Sequence, residues 1–497
     1  MSSVDPRTPV LVGTGQVTHR SGSGPTSPLE LMVEAARRAA ADAGSGGDAL
    51  LAGVQSVAVV DVFSWPIPDP GSLLATELGL SPRETVRTVV GGNGPIALLG
   101  DLAAQIADGT LESALIAGGE VVSAFRTAMT TGGETGWPTQ PDGTAPSRVV
   151  GKDAPPSHPA ELAAGLVVPA NYYPLFEHAL RHEAGRSTAE QRAWIGSWWS
   201  RYSEVAAGHP NAWSRTPMSA EQVASPEDGN RPISDPYLKC MVANITVDQS
   251  AALLLTSAGA AEAAGIARDR WVFVHATAGG ADHWLVGERD QLHRSPAIAA
   301  GGAAVFGHAG IDADDVALVD LYSCFPCAVQ IGARELGFVV DDPARPLTVT
   351  GGLVFFGGPA NDYVTHSLAT LVDRARQQPD ELALASAVGW YMTKHGLALL
   401  SARPPARPFA HHDVQATVDA GPRRTIVDEP SGSWTVESFT ASHDRGGSAN
   451  FGTVAARDER GRRAFAKTDD AATIARLLAD DPIGQPVELG VATGFAL

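Results

Sequence analysis

Hydrophobic and polar positions along this chain alternate between two periods. Short unbroken runs of Val, Ile, Leu and Ala, such as Val10–Val12, Ala114–Gly118, Ala251–Leu255 and Ala317–Leu321, have the length and composition of buried strands. Between them lie longer segments whose apolar residues recur three and four apart, the period of a helix. The first helix is expected to start at Ser27-Pro-Leu-Glu30, with Ser27 as N-cap, Pro28 in the first turn and Glu30 closing a capping box. Its apolar face runs through Leu29, Met32, Ala36 and Ala40 to a stop at Gly44. The strand Val54–Val62, a short helix near Leu73–Leu78, the strand Val86–Val90, a glycine turn and the helix Ile96–Ala107 follow. This alternation predicts a mainly parallel sheet covered on both faces.

Residues 122–245 break the rhythm. They are polar, rich in Pro and Trp, and hold two amphipathic helices, about Ala160–Glu183 and Thr188–Ala207, the second opened by the capping-box pattern Thr188-Ala-Glu-Gln191. An insertion of that length in an α/β unit covers a pocket or binds substrate. The rhythm returns with Ala251–Leu255 and Trp271–His275, then a helix near Pro296–Ala309 and the strand Ala317–Leu321. The helix Ala328–Leu336, the turn Gly351–Pro359, the helix Thr365–Arg376 and the strand Leu382–Ser386 close it. Turn, helix and strand after Gly91-Gly-Asn-Gly-Pro95 are answered in the same order after Gly357-Gly-Pro359, which reads as a duplicated half. Beyond Pro404-Pro405 the pattern becomes β-rich: an edge strand at Trp434–Glu437, a hairpin around Asp458-Glu-Arg-Gly461, a helix Ala471–Leu478 and a closing strand Pro486–Gly490. The chain therefore divides into 1–265 (with an inserted loop domain at about 122–245), 266–405, and a separate β-rich domain at 410–497.

Charge narrows the classes. With 497 residues, Lys+Arg 36 against Asp+Glu 55 gives a net −19, a poor match to nucleic acid or an anionic membrane. Three cysteines make no disulfide framework, and no apolar stretch has the length of a bilayer span. The N-terminus lacks a basic segment followed by an apolar one. A cytoplasmic protein is expected.

The candidate chemistry sits at strand ends. Cys324-Phe-Pro-Cys327 joins a strand to a helix, where a helix N-terminus can lower a thiol pKa, although two small packing residues in a reduced cell fit as well. Cys240 is read as core. His178 and His182 are four apart beside Glu183, but the order of a zinc helix is missing and two exposed histidines are expected; no metal site is read. Gly13-Thr-Gly15 lacks the third glycine of a dinucleotide loop, and no phosphate-loop motif occurs. The turns Gly91–Pro95 and Gly357–Pro359 feed helix N-termini and can present N–H groups to an oxyanion. Tyr322 and Ser323 follow a buried strand at the edge where α/β ligands bind, and Thr393-Lys-His395 can supply an acid, a base or an anion contact.

These ordered turns resemble the thiolase superfamily, most nearly the sterol-carrier-protein branch and its thiolase-like relatives. Gly185-Arg-Ser-Thr-Ala-Glu-Gln191 and His209-Pro-Asn-Ala212 resemble that branch's loop domain. Val247–Leu255 is similar to the strand closing its first half; Pro9–Gln16 and Tyr391-Met-Thr-Lys-His395 look like the thiolase-like subgroup. Covering residues 7–405, the resemblance implies the duplicated five-layer αβαβα thiolase fold, with the loop-domain insertion and a small OB-like C-terminal domain. It also implies an acetyl-CoA acetyltransferase-type protein of lipid metabolism, with coenzyme A or acyl-CoA as its ligand. The catalytic turns depart from the family pattern. Gly91 stands where the nucleophilic cysteine belongs, Gly358 where the activating histidine belongs, and Ala387 where the second cysteine belongs. The loop that usually reads Asn-Glu-Ala-Phe is Tyr322-Ser-Cys-Phe325. Acyl transfer needs a nucleophile and a base, and neither position supplies one.

Backbone N–H groups at Gly91 and Gly389 can still form the family's oxyanion hole, with Ser323 a further ligand contact. The leading expectation is an acyl-CoA-binding thiolase-like protein without ordinary thiolase activity. A second is retro-aldol or lyase chemistry on an acyl-CoA, with Tyr322 as acid/base assisted by His395 or Cys324, as in related steroid aldolases that work with an OB-fold partner. A third is a non-catalytic acyl-CoA carrier or scaffold. A monomer or homodimer is expected, without nucleic-acid or membrane partners.

Overall fold

A computed structural model describes residues 4–20, 27–131, 134–227, 229–490 and 494–497. Among them, eleven strands form one large sheet system and seven a smaller one. The large system is two copies of one pattern. In the first copy, Ser56–Val59 runs parallel to Ser113–Val121, which pairs antiparallel with Asp248–Ser257, which in turn pairs antiparallel with Pro9–Thr18. In the second, Val316–Asp320 runs parallel to Leu382–Gly389, followed by antiparallel Lys394–Ser401 and antiparallel Val272–Ala281. The copies meet through Val10 opposite Phe273 and Leu11 opposite Val272. Parallel pairing occurs on the flanks and where Ala410–Asp413 runs beside Val272–Ala281, and the expected mainly parallel sheet is a mixed one. Lys394–Ser401, which the helix-and-strand rhythm did not reveal, returns by a four-residue hairpin loop and imposes the antiparallel pairing.

Two central helices lie between the sheets, Gly94–Asp108 and Tyr363–Gln377. Each packs on strands of both copies, which is why both are apolar on more than one face. Ile96, Leu98, Leu99, Leu102 and Ile106 are essentially inaccessible to water. Each such side chain contributes about 2 kcal/mol of burial. The outer faces are covered by Pro28–Ala43 on one side and by Pro296–Ala309 with Pro326–Leu336 on the other. The result is the five-layer α/β arrangement. The Ser27/Glu30 capping box is present in both directions, and Gly44 is the C-cap. Gly13 and Gly15 have a packing role: a Cβ on either would strike the backbone of Ala39 or Ala35 in the covering helix.

The first sheet continues outward from Ser56–Val59 through Glu84–Thr88 to a short edge strand, Arg148–Val150. Arg148 fastens this edge, at 2.9 Å from Glu84 and 2.8 Å from Asp101. The inserted segment holds Pro159–Ala163 and Pro169–Glu183 in place of the single expected helix, broken at residues 164–168. It also holds Thr188–Gly208, whose N-cap is Ser187. The capping box is Ser187/Glu190, one residue before the expected pair, and Glu190 accepts from both the amide and the hydroxyl of Ser187. His178 is fully buried against Asp235 at 3.0 Å and stacks on Phe439, contrary to the exposed reading, while His182 is exposed.

The C-terminal module is an antiparallel sheet in the order Arg463–Thr468, Ala449–Arg457, Gly432–His443, Pro486–Leu489, Phe495–Ala496, closed by the helix Ala471–Asp480. Gly432–His443 is therefore central, not an edge. Through Ser442 opposite Ser234 the sheet takes in Pro232–Ser234 of the insertion. Arg463, wholly buried, pairs with Glu437 at 2.7 Å and donates to the Gly287 carbonyl at 3.0 Å. Arg181 grips Asp481 with two hydrogen bonds of 2.6 and 2.8 Å. The module is a distinct domain with its own apolar cluster around Trp434, Val436, Phe439 and Leu477, joined to the insertion through Ser234 and Arg181.

Candidate active-site junction

Five strand-end segments converge at the start of the helix Gly94–Asp108. Gly91 has φ +141°, and its N–H donates to Asn361 Oδ1 at 2.9 Å. Asn361, from the turn before the second central helix, donates in its turn to the Asp61 carbonyl at 3.0 Å. The amides of Gly92 and Asn93 have no acceptor among the described residues. A Cβ on Gly92 would run into the Tyr322 hydroxyl and the Val388 carbonyl, and one on Gly389 would lie 2.6 Å from Asn93 Oδ1 and 3.0 Å from Lys394 Cε. Glycine is needed at these positions because neighbouring groups already fill the space of a side chain.

Lys394 is the residue that fills it. Its Cε and Nζ would stand 2.9 and 3.0 Å from a Cβ on Gly91. The side chain is 5% exposed; its ammonium donates to the Val90 carbonyl and lies 3.6 Å from Asp153 Oδ1. The Trp284 and Trp390 rings flank it at 5.9 and 5.8 Å. Burial lowers the lysine pKa, and the carboxylates of Asp153 and Asp61 offset part of that effect. Asp153 belongs to an exposed segment held over the site by two indoles: Trp390 donates to Asp153 at 2.8 Å and Trp284 to the Pro155 carbonyl at 3.1 Å. Trp390 and Met392 both adopt positive φ, 53°, in the hairpin loop that presents Lys394.

The residues singled out from sequence divide between this junction and its surroundings. Gly91, Gly389 and Tyr322 are at the junction, and Ala387 faces it beside Ile96 and Gly396. The Gly91 amide is already engaged by Asn361, so the unengaged donors are one and two residues later. Gly358 lies off the junction, its N–H donating to the Asn244 carbonyl at 2.9 Å. The Ser323 hydroxyl points to the Gly351–Phe355 segment and accepts from the Leu353 amide at 3.2 Å. His395 is on the opposite face of its strand, 3.0 Å from Asp282 and 3.4 Å from Ser295 under the covering helix. Strand alternation decides this, and it puts Lys394 at the turn instead.

Cys324 is buried beside Tyr173, and burial pushes its thiol up to about 12. Cys327 donates to the Tyr173 carbonyl at 3.5 Å, and burial pushes its thiol well above the usual range. Neither has the character of a nucleophile at neutral pH. Burial also raises the Tyr322 pKa, which keeps its hydroxyl protonated. Sequence reasoning missed Asn361, Asp61, Asp153 and Trp390 and named Lys394 only within the Thr393–His395 run, where it favoured His395; Asn361, Asp61 and Asp153 reach the junction through folding of distant segments.

The additional C-terminal domain of thiolase-like protein type 1 matches residues 413–491. No curated protein sequence matches the chain. Among solved structures, a monomeric SCP2-thiolase-like protein type 1 from Mycobacterium smegmatis has a TM-score of 0.85 at 32% identity, with 100% of both chains covered. An Ltp2–ChsH2(DUF35) aldolase has a TM-score of 0.59 at 19% identity, covering 80% of this chain and 99% of that chain. The dimeric peroxisomal thiolase of Saccharomyces cerevisiae has a TM-score of 0.57 at 13% identity, covering 80% and 98%. The last two share the fold alone. The first, with the domain match, settles membership: this chain belongs to the SCP2-thiolase-like protein type 1 family of the thiolase superfamily.

Proposed function

We propose that the protein binds an acyl-CoA thioester at the junction of the Gly91 turn and Gly389 and does not perform thiolysis. The observation that carries this reading is the pairing of a retained turn with a lost nucleophile. The Gly92 and Asn93 amides precede a helix and are unengaged, a donor arrangement suited to a thioester oxygen, while the nearest thiols are buried and protonated. Calorimetric titration with acetyl-CoA, run beside a thiolysis assay with acetoacetyl-CoA and free CoA, tests it. The expected result is saturable binding without loss of the ketoacyl chromophore; thiolysis at an enzymatic rate, or no binding, overturns it.

One observation favours a second reading, retro-aldol cleavage of a β-hydroxyacyl-CoA. The Tyr322 hydroxyl is packed against Gly92, within the same junction, and stays protonated, as a general acid must. Cleavage that survives Tyr322→Phe sinks that reading. A monomer is proposed as well. The edge of the first sheet is only the three-residue strand Arg148–Val150, too short a template for a second copy to pair with. Light scattering at micromolar concentration distinguishes a monomer from a dimer.

A further inference from the structure

The state of the Lys394 ammonium points beyond thioester binding. An ammonium has three N–H donors, and burial without partners is costly. Here one donor is met by the Val90 carbonyl; of the two carboxylates near it, Asp153 stands at 3.6 Å, an ion pair rather than a hydrogen bond, and Asp61 acts from longer range. Asp153 Oδ1 is instead within hydrogen-bond range of the Trp390 indole at 2.8 Å. The charge is thus buried, loosely compensated, and held beside a counter-ion that is 35% exposed on a surface segment. Its position is also informative. The Lys394 stem packs against Gly91 and Gly389, next to the Gly92 and Asn93 amides that would hold the thioester oxygen in the preceding reading.

We propose that Lys394 recognises a carboxylate carried on the acyl group of the bound thioester. The ligand's carboxylate takes the place of Asp153 on the ammonium, approaches to hydrogen-bond distance, and frees the 151–155 segment from the mouth of the site. Because Lys394 reaches the turn itself, the carboxylate must lie within a few bonds of the thioester carbon. The substrate class is therefore a short dicarboxylic half-thioester, such as a malonyl- or succinyl-CoA, rather than a plain fatty acyl-CoA. Asp153 is a positioning residue that keeps the empty site closed and the lysine charged. This inference rests on the acyl-CoA reading above.

The test compares dissociation constants for free CoA, acetyl-CoA, malonyl-CoA and succinyl-CoA on the full-length protein, Lys394→Met and Asp153→Asn, each variant first checked by a melting curve. In the wild type, one of the two carboxyacyl thioesters is expected to bind at least about tenfold more tightly than acetyl-CoA, a difference of about 1.4 kcal/mol. Lys394→Met should bring the carboxyacyl and acetyl thioesters within about threefold of each other. Asp153→Asn, which removes the internal competitor, should tighten carboxyacyl binding severalfold. Equal affinity for the three thioesters in the wild type overturns this inference and leaves the acyl-CoA reading standing. An equal loss of free CoA and thioesters in Lys394→Met assigns the lysine to a CoA phosphate and overturns it too, as does weakened carboxyacyl binding in Asp153→Asn. Absence of binding to all four ligands overturns both readings together.

Discussion

At the first glycine turn, a Cβ on Gly91 would meet the end of the Lys394 side chain and Asn93 Oδ1; at the second, one on Gly357 would meet the Gln249 carboxamide, fixed in the core by bonds to the Phe356 and Asn211 carbonyls. Both turns hold a glycine at positive φ, +141° and +115°, and both lead into a central helix. Their surroundings differ. The first opens toward a segment from the insertion and keeps a cation at its centre. The second is closed over by Gln249, Asn361 and Asp362, and its helix carries buried His366, Thr365 and Ser367. Duplication supplied two equivalent backbones, and only the first lies beneath an exposed segment, residues 151–155. The other now serves as a strut, with Asn361 holding the Gly91 amide from behind.

This contrast predicts different costs for similar changes. Gly357→Ala combines a strained φ with a collision against a buried, hydrogen-bonded side chain and should cost about 3 kcal/mol in chemical denaturation. A loss under 1 kcal/mol would mean the second turn is as yielding as the first. Glu120 probes the same closed region by pH. It accepts from the Phe63 and Ser64 amides at 2.6 and 2.8 Å, and burial pushes its carboxyl up from 4.5 to about 7. The folded chain therefore keeps a proton that the unfolded chain releases. Its contribution is complete below pH 4.5 and is lost as the pH rises to about 7, a change of about 3 kcal/mol. Glu120→Gln, neutral at every pH, should flatten that part of the stability profile; an unchanged slope would place the titration elsewhere.

At the open turn the effects are smaller. Gly91→Ala should cost about 1–2 kcal/mol, since Lys394 can withdraw but φ remains unfavourable. Gly91→Cys should fold and still show no thiolysis, because among the described residues Asn93 and Lys394, not a histidine or second cysteine, stand beside it; turnover of acetoacetyl-CoA would show that a base has been overlooked. Smallest of all, a disulfide reagent should leave Cys324 and Cys327 unmodified in the native protein, with labelling appearing only on unfolding.

The helix starts were legible because Ser27 and Glu30 state them locally, and the repeated turn–helix–strand order revealed the duplication. The mixed pairing was not legible, since a buried antiparallel strand such as Lys394–Ser401 is as apolar as a parallel one. Capping at Ser187 slipped by one residue because Ser187 and Thr188 can each cap, and the carboxylate of Glu190 favoured the former. For the site, Gly91 and Tyr322 were readable from strand ends and Gly389 from the family resemblance, whereas Lys394 and His395, adjacent in sequence, differ only by the face of the strand they occupy. Asp153 and Asn361 reach the junction from 241 and 33 residues away from Lys394 in the chain, separations that no local pattern encodes.

The sharing of Pro232–Ser234 with the terminal sheet has a consequence for synthesis. Ser234 waits for Ser442, and the carbonyls of 287–289 wait for Arg463, so the insertion emerges from the ribosome long before its cover exists. At translation rates of about 5–20 residues per second, that interval is roughly 10–40 s. During it, the apolar side of Pro169–Glu183 faces the cellular milieu. Strands formed after residue 430, not the insertion itself, complete the insertion's cover.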